Sequence, residues 1–124
     1  MKPARLGTAL LAAVLSVAAF AADIVPLRKA NGVLVDPNGM TVYTFDKDKP
    51  GSGKSACTGA CAKNWPPVDA GDAPLAAPWS AIEREDGSRQ LAYKGKPLYT
   101  FVKDKKEGDK TGDKVNGVWH VVTQ

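Results

Sequence analysis

Two stretches of this 124-residue chain repeat one another at an offset of 56 residues, counted from Tyr43 to Tyr99. Each stretch reads Tyr-Thr-Phe-x-Lys-Asp, and a tryptophan follows the tyrosine 22 residues later in the first copy and 20 residues later in the second. The matched positions are Tyr43, Phe45, Asp48 and Trp65 in one copy and Tyr99, Phe101, Asp104 and Trp119 in the other. Because two copies are too few to stack into a repeat array, the duplication predicts one pseudo-symmetric domain with a shared core.

Turn residues predict β-hairpins in both copies. In the first copy, residues 33–35 and 40–45 are apolar or β-branched and flank Asp-Pro-Asn-Gly at 36–39, where Pro presets one dihedral and Asn-Gly supplies positive φ. In the second copy, residues 81–85 and 89–93 flank an Asp-Gly turn. These patterns predict an all-β protein, a small antiparallel β domain built from two repeats.

The remaining segments complete that expectation. A Lys-Gly-Lys turn at 94–96 leads into a predicted strand over 97–102, and a last strand is expected over 117–123. The only helix that the pattern favours is one or two turns within residues 58–63. The expected organisation is repeat one over about 31–69, a linker over about 70–78 and repeat two over about 81–123.

The N-terminus has the pattern of a cleavable export signal. Lys2 and Arg5 precede an apolar, alanine-rich core over residues 6–20, and small residues flank Phe20. We expect cleavage after Ala21, or alternatively after Ala22; an uncleaved membrane anchor fits less well because the apolar run is short. The expected location is periplasmic or secreted, with no membrane span after cleavage and with an oxidising environment that permits a disulfide.

The charge balance argues against a nucleic-acid partner. The whole chain carries 17 basic and 13 acidic side chains, a net charge of +4. Removal of the export signal takes two of the basic residues with it, so the remaining chain is close to neutral. A protein that grips nucleic acid needs a strongly basic domain, and this one does not have that composition.

The ordered motifs resemble those of a known bacterial family. Both copies fit a Yx(FWY)xxD pattern, and between them lie Cys-Thr-Gly-Ala-Cys at 57–61, Asn-Trp-Pro-Pro at 64–67 and Lys-Pro-Leu-Tyr at 96–99; the chain closes with Gly-Val-Trp-His-Val-Val at 117–122. From about Asn31 to Val122 the chain resembles the bacterial secreted-repeat family, often called lipoproteins with a Yx(FWY)xxD motif. The resemblance implies an exported, β-rich, two-repeat domain and no particular biochemical activity. The chain departs from the lipoprotein label because no cysteine follows its apolar N-terminal core.

Cys57 and Cys61 are the only cysteines, and their expected state in an exported chain is a structural disulfide. The alternative is a metal site, in which both thiolates and the single histidine, His120, bind Cu(I), with Met40 as a further ligand. A thioredoxin-like centre would need C-x-x-C in an α/β setting, which the sequence lacks. We therefore predict a disulfide, no cofactor and no metal, and keep copper binding as the alternative.

The residues that the two motifs share have two possible roles, one structural and one functional. Structurally, Asp48 and Asp104 accept backbone amides of the loops that follow them, and the motif aromatics pack in the core. Functionally, the two carboxylates could lie near the pseudo-two-fold axis as a ligand or metal site. No residues form a recognisable catalytic set, so we expect a non-enzymatic envelope module that binds or supports an envelope component. The alternative is a periplasmic copper or redox accessory protein that uses Cys57, Cys61 and His120.

Overall fold

The structure, a computed structural model, describes residues 25–123. The predicted export signal over residues 1–21 and its cleavage site lie outside the described residues. Inside them the order of elements is β1 (Arg28–Ala30), β2 (Val33–Val35), β3 (Tyr43–Phe45), α1 (Ala60–Asn64), β4 (Trp79–Glu83), β5 (Arg89–Tyr93), β6 (Lys96–Pro97), a 3-10 helix (Val115–Gly117) and β7 (Trp119–Val121). The strands form three small antiparallel sheets, which confirms the all-β prediction. No helix among residues 25–123 has the length and apolar character needed to cross a bilayer.

The first hairpin is displaced from its predicted position. β2 pairs with β1, a strand that the sequence pattern did not predict, through a turn at Asn31 and Gly32 whose φ values of 53° and 84° suit Asn-Gly. The predicted partner, residues 40–45, still pairs with the end of β2 at an isolated antiparallel bridge between Val35 and Thr41, where the amide of Val42 donates to the carbonyl of Leu34 (3.0 Å). The carboxylate of Asp36 accepts the amides of Asn38 and Met40, and its carbonyl accepts the amide of Gly39 (2.8 Å), so residues 36–39 form the predicted turn.

The second half repeats this layout with shifted ends. β4 pairs with β5 and β5 pairs with β6. β4 covers residues 79–83 rather than 81–85, and the strand expected over 97–102 is reduced to Lys96–Pro97 followed by isolated bridges at Tyr99. The last strand covers residues 119–121 rather than 117–123, and Gly117 belongs to the 3-10 helix instead. The predicted short helix is present as α1, which begins at Ala60 and ends at Asn64 rather than covering residues 58–63.

The two halves exchange their tryptophan segments. The amide of Tyr43 donates to the carbonyl of Tyr99 (2.7 Å), and the amide of Tyr99 donates to the carbonyl of Tyr43 (2.9 Å), so a pseudo-two-fold axis passes between them. β3 of the first half pairs with β7 of the second, while Tyr99 of the second half bridges to Pro67 of the first. Each half is therefore completed by a segment of the other, and neither has its full set of backbone partners alone.

Two apolar clusters form the core. One consists of aliphatic side chains and lies between the hairpins; it contains Leu27, Leu34, Val42, Val68, Ala70, Leu91 and Leu98. The other lies at the pseudo-two-fold axis, and we call it the axis cluster; it contains Tyr43, Cys57, Trp65, Tyr99, Phe101 and Trp119. The second cluster consists almost entirely of motif residues, so the repeated motif encodes the contact between the halves.

Candidate functional site

Four aromatic rings stack across the pseudo-two-fold axis. The rings of Trp65 and Trp119 lie face to face, with centroids 3.7 Å apart and an angle of 3° between planes. Phe101 stacks on the outer face of Trp65 at 3.9 Å, and Phe45 stacks on the outer face of Trp119 at 4.2 Å. Each tryptophan thus packs against the phenylalanine of the other half. Such ring pairs add stabilisation beyond the area they bury.

The tyrosine and aspartate of the motif also pair across the halves. The Tyr43 hydroxyl donates to Oδ2 of Asp104, and the Tyr99 hydroxyl donates to Oδ2 of Asp48, both at 2.6 Å. Both tyrosines are fully buried, and each carboxylate is 6% exposed. The hydroxyls of buried tyrosines need acceptors, and a carboxylate acceptor makes the hydrogen bond charge-assisted.

The other oxygen of each carboxylate holds the loop that follows it. Oδ1 of Asp48 accepts the amide of Ala56 (2.6 Å), and Oδ1 of Asp104 accepts the amide of Thr111 (2.9 Å). Every carboxylate oxygen of the pair therefore has a protein donor. Among residues 25–123 no group of three His, Cys, Asp or Glu side chains is arranged to hold a metal ion.

Burial and the hydrogen bond to a carboxylate both raise the pKa of the two tyrosines. Desolvation is the main cause that raises the pKa of Tyr43 and of Tyr99 far above the ordinary value, and the hydrogen bond to the aspartate raises each pKa further. The amide of Gly112 donates to the hydroxyl oxygen of Tyr43 (3.1 Å) and opposes the shift in part. Both phenols therefore remain protonated donors well into alkaline pH.

Cys57 and Cys61 form a disulfide, as predicted, with their Cα atoms 5.2 Å apart. Cys57 is fully buried beside the aromatic stack, and Cys61 on α1 is half-buried. In the second half Gly112 takes the place of Cys57, since each follows the residue whose amide binds the motif aspartate. An ideal Cβ at Gly112 would lie 2.7 Å from the ring of Trp65. The two halves thus fill equivalent positions differently, one with a disulfide and the other with a glycine.

His120 is not brought to the cysteines. It lies on β7 opposite Thr44, and its Nε2 lies 2.8 Å from Oδ2 of Asp46, with 40% of the histidine side chain exposed. His120 and Cys61 line two different surface grooves. The three residues of the copper alternative are therefore separated, and two of them are bonded to each other rather than free as thiolates.

A basic groove borders His120, and the sequence analysis did not find it. Its volume is about 340 Å³, and Lys94 and Lys96 line it with His120 and Asp46. Lys29 joins its rim by donating from Nζ to the carbonyl of Thr123 (3.1 Å). We call this feature the lysine groove. The Lys-Gly-Lys turn was the local signal for it, but the other members come from both ends of the described chain.

The lysine groove has no counterpart in the other half. At equivalent positions the second half carries Val102 in place of Asp46, and the first half carries Pro66 in place of His120. The backbone pairing is nonetheless the same, because the amide of Asp46 donates to Val118 (2.8 Å) as that of Val102 donates to Asn64 (3.0 Å). The side chains of Asp46 and His120 are therefore not required for this backbone pairing.

Comparison with known proteins identifies the family. The chain belongs to the family described as a secreted repeat of unknown function, whose model matches it twice, over residues 27–69 and 80–123. This confirms the resemblance that the Yx(FWY)xxD motifs indicated. No curated protein and no solved structure matches the chain.

Proposed function

We propose that this chain is an exported, non-enzymatic module of the cell envelope, and that the lysine groove binds an anionic group of its partner. On this proposal the export signal is removed after Ala21 and the module acts in the periplasm or outside the cell. The observation that carries the proposal is the concentration of cationic side chains around one groove, which the other half lacks.

The charges around the lysine groove are unbalanced. Lys94 and Lys96 are exposed, and Asp46 is the one carboxylate among the described residues that line the groove. Among residues 25–123 the carboxylates that contact a basic side chain are Asp109, with Lys106, and Asp46, with His120, so neither groove lysine is neutralised by a side-chain carboxylate there. Clustered, unpaired lysines attract anions and anionic surfaces.

The shape of the groove suits a charged group with a small apolar part. Lys94 lies with its Nζ 5.4 Å from the centre of the Tyr93 ring, and Val122 contributes an aliphatic wall. The volume of about 340 Å³ is within the range of small-molecule sites. A phosphate or carboxylate on a longer envelope molecule fits these features, since the groove is open to solvent.

Binding of defined anionic probes tests the proposal. The secreted form of the chain is titrated at low salt with polyphosphate, with polyglutamate and with vesicles containing phosphatidylglycerol, which distinguish phosphate polymer, carboxylate polymer and lipid headgroup. A lysine near an anionic surface contributes about 1 kcal/mol, so Lys94→Gln with Lys96→Gln should weaken binding by about 30-fold. The effect should shrink in high salt.

The charge-matched control is Lys103→Gln with Lys110→Gln, which removes two exposed positive charges that neither line the groove nor pair with a carboxylate among residues 25–123. We expect this control to retain most of the affinity. Equal weakening by the two double variants would mean that binding follows net charge and that the groove has no role. If none of the three probes binds the unmodified protein, the proposed function is wrong.

A further inference from the structure

The second half of the fold has no disulfide at the position of the Cys57–Cys61 pair. The segment that begins at Gly112 turns without sulfur, because the amide of Val115 donates to the carbonyl of Gly112 (3.1 Å) and Oδ1 of Asp113 accepts the amide of Val121 (3.1 Å). Gly112 there occupies the position of Cys57 and packs directly against Trp65. Since one loop reaches the same place with hydrogen bonds alone, the disulfide of the other loop is open to a second role.

The two cysteines differ in access. Cys57 has no exposed surface and belongs to the axis cluster. Cys61 is half-buried and lines an open groove of about 420 Å³, which we call the Cys61 groove. Thiol–disulfide exchange requires a thiolate to approach one sulfur, and the rate depends on which sulfur can be reached. The fold thus directs an approaching thiolate to Cys61.

The lining of the Cys61 groove is apolar with a cationic rim. Phe45, Trp119 and Val118 provide apolar surface, Asn64 and Asn116 provide amide groups, and Lys47 is exposed at the edge. Apolar surface with a few amide groups suits a peptide segment, whose side chains pack while its backbone hydrogen-bonds. The ammonium group of Lys47 favours the thiolate form of a cysteine that enters.

The backbone of Cys57 is held independently of its sulfur. Arg84 donates from Nη2 to the carbonyl of Cys57 (2.8 Å) and from Nη1 to Oε1 of the buried Gln90 (2.7 Å). The Cys57 amide donates to the hydroxyl of Ser55 (3.1 Å). These bonds keep Cys57 beside the stack when the link to Cys61 opens, so the pair is ready to close again.

We propose that the Cys57–Cys61 disulfide exchanges with the thiols of an exported peptide segment that carries two cysteines, with Cys61 attacked and Cys57 leaving. A substrate thiolate forms a bond to Sγ of Cys61 while the bond between the two protein sulfurs breaks. The electron pair goes to Sγ of Cys57, which takes up the proton that the substrate thiol gave to water. The second substrate thiolate then attacks the first substrate sulfur, and Cys61 leaves and is protonated. Two electrons pass to the protein, which ends as a dithiol, and the substrate ends as a disulfide.

The matched variants Cys57→Ser and Cys61→Ser test the assignment of the two sulfurs. Each leaves one free thiol, and its rate of reaction with glutathione disulfide is measured in the folded protein and in denaturant. We expect Cys61 to react about 100-fold faster than Cys57 when folded and at an equal rate when unfolded. Near-UV circular dichroism of the tryptophan stack establishes that both variants fold. Equal reactivity in two folded variants would overturn the proposal.

A reduced dicysteine peptide tests the reaction on the unmodified protein. We expect it to reduce the disulfide under native conditions much faster than the protein unfolds, and Lys47→Gln to slow this several-fold while Lys105→Gln leaves it unchanged. If reduction proceeds only at the rate of global unfolding, the disulfide is structural only and the proposal fails. The lysine groove does not enter either experiment, so this proposal and the proposed function can fail separately.

Discussion

The buried tyrosine–aspartate pairs predict that this protein loses stability in alkali, because its folded state keeps two phenol protons that the unfolded chain releases. Tyr43 and Tyr99 are fully buried, and each donates its hydroxyl to a carboxylate of the other half. Burial is the first cause that raises the pKa of both phenols in the folded state, well above the value of about 10 that tyrosine has in an unfolded chain.

The sign of the effect follows from proton linkage. Below about pH 10 the phenols are protonated in both states, and their contribution to stability is fully present. Above about pH 10 the unfolded chain releases these protons while the folded protein keeps them, so the free energy of unfolding falls as the pH rises towards the folded-state pKa. The slope is about 1.4 kcal/mol per pH unit for each tyrosine, and the two together cost about 2.8 kcal/mol by pH 11. That is a large part of the 5–15 kcal/mol typical of a domain.

Urea unfolding followed by far-UV circular dichroism at pH 8 to 11 measures this slope. Tyr43→Phe and Tyr99→Phe should each be less stable at pH 8 by about 1.5–3 kcal/mol, because a charge-assisted hydrogen bond is lost. Above about pH 10 each variant should lose stability with about half the slope, so the curves converge with the unmodified protein. Tyr93→Phe is the control, since Tyr93 is half-buried against Trp79 and outside the axis cluster. An undiminished slope in the two core variants would refute the linkage.

Three further predictions concern the axis cluster. Trp119→Ala should cost about 3–5 kcal/mol of stability by urea unfolding, because the ring is 3% exposed and stacked on both faces; a loss below about 1 kcal/mol would contradict its place in the core. Gly112→Ala should cost about 1–3 kcal/mol, since the added Cβ meets Trp65, and Trp65→Phe in the same chain should recover part of that loss. Thiol titration in denaturant should give no free thiol before reduction and two after it, from Cys57 and Cys61; free thiols before reduction would contradict the disulfide.

The repeat and the turn residues made the fold class predictable, but not the exchange of segments. Both halves carry nearly the same Tyr-x-Phe strand, so β7 has an equivalent partner in its own half and in the other. Local hydrophobic pattern and turn chemistry are identical for the two pairings, and a single sequence therefore does not distinguish them. The first strand was missed for a different reason: β1 reads Arg-Lys-Ala and lacks the apolar alternation on which strand prediction relies.

The sequence analysis expected the motif aspartates to accept backbone amides, which they do, but it did not predict their pairing with the tyrosines of the other half. The amide of Asp48 donates to the carbonyl of Phe45 (3.0 Å), so the chain turns between the tyrosine and the aspartate of one copy. Residue spacing alone therefore does not fix which tyrosine each aspartate meets. The lysine groove was out of reach, because Lys29, Lys94 and His120 belong to separate segments that only the folded chain brings together.

The duplication also separates what the fold requires from what it tolerates. Where the halves agree, as at Tyr43 and Tyr99, the residues make equivalent bonds across the axis, and conservation of the fold explains them. At one position where they differ the backbone bond is the same: Val102 makes the bond that Asp46 makes, without any polar side chain. Each half can therefore be compared with the other. Where a polar group appears in only one half, the residue at the equivalent position of the other half supports the same fold without it. By that criterion Asp46 with His120 and the Cys57–Cys61 pair are the positions at which variants should change binding or exchange more than stability.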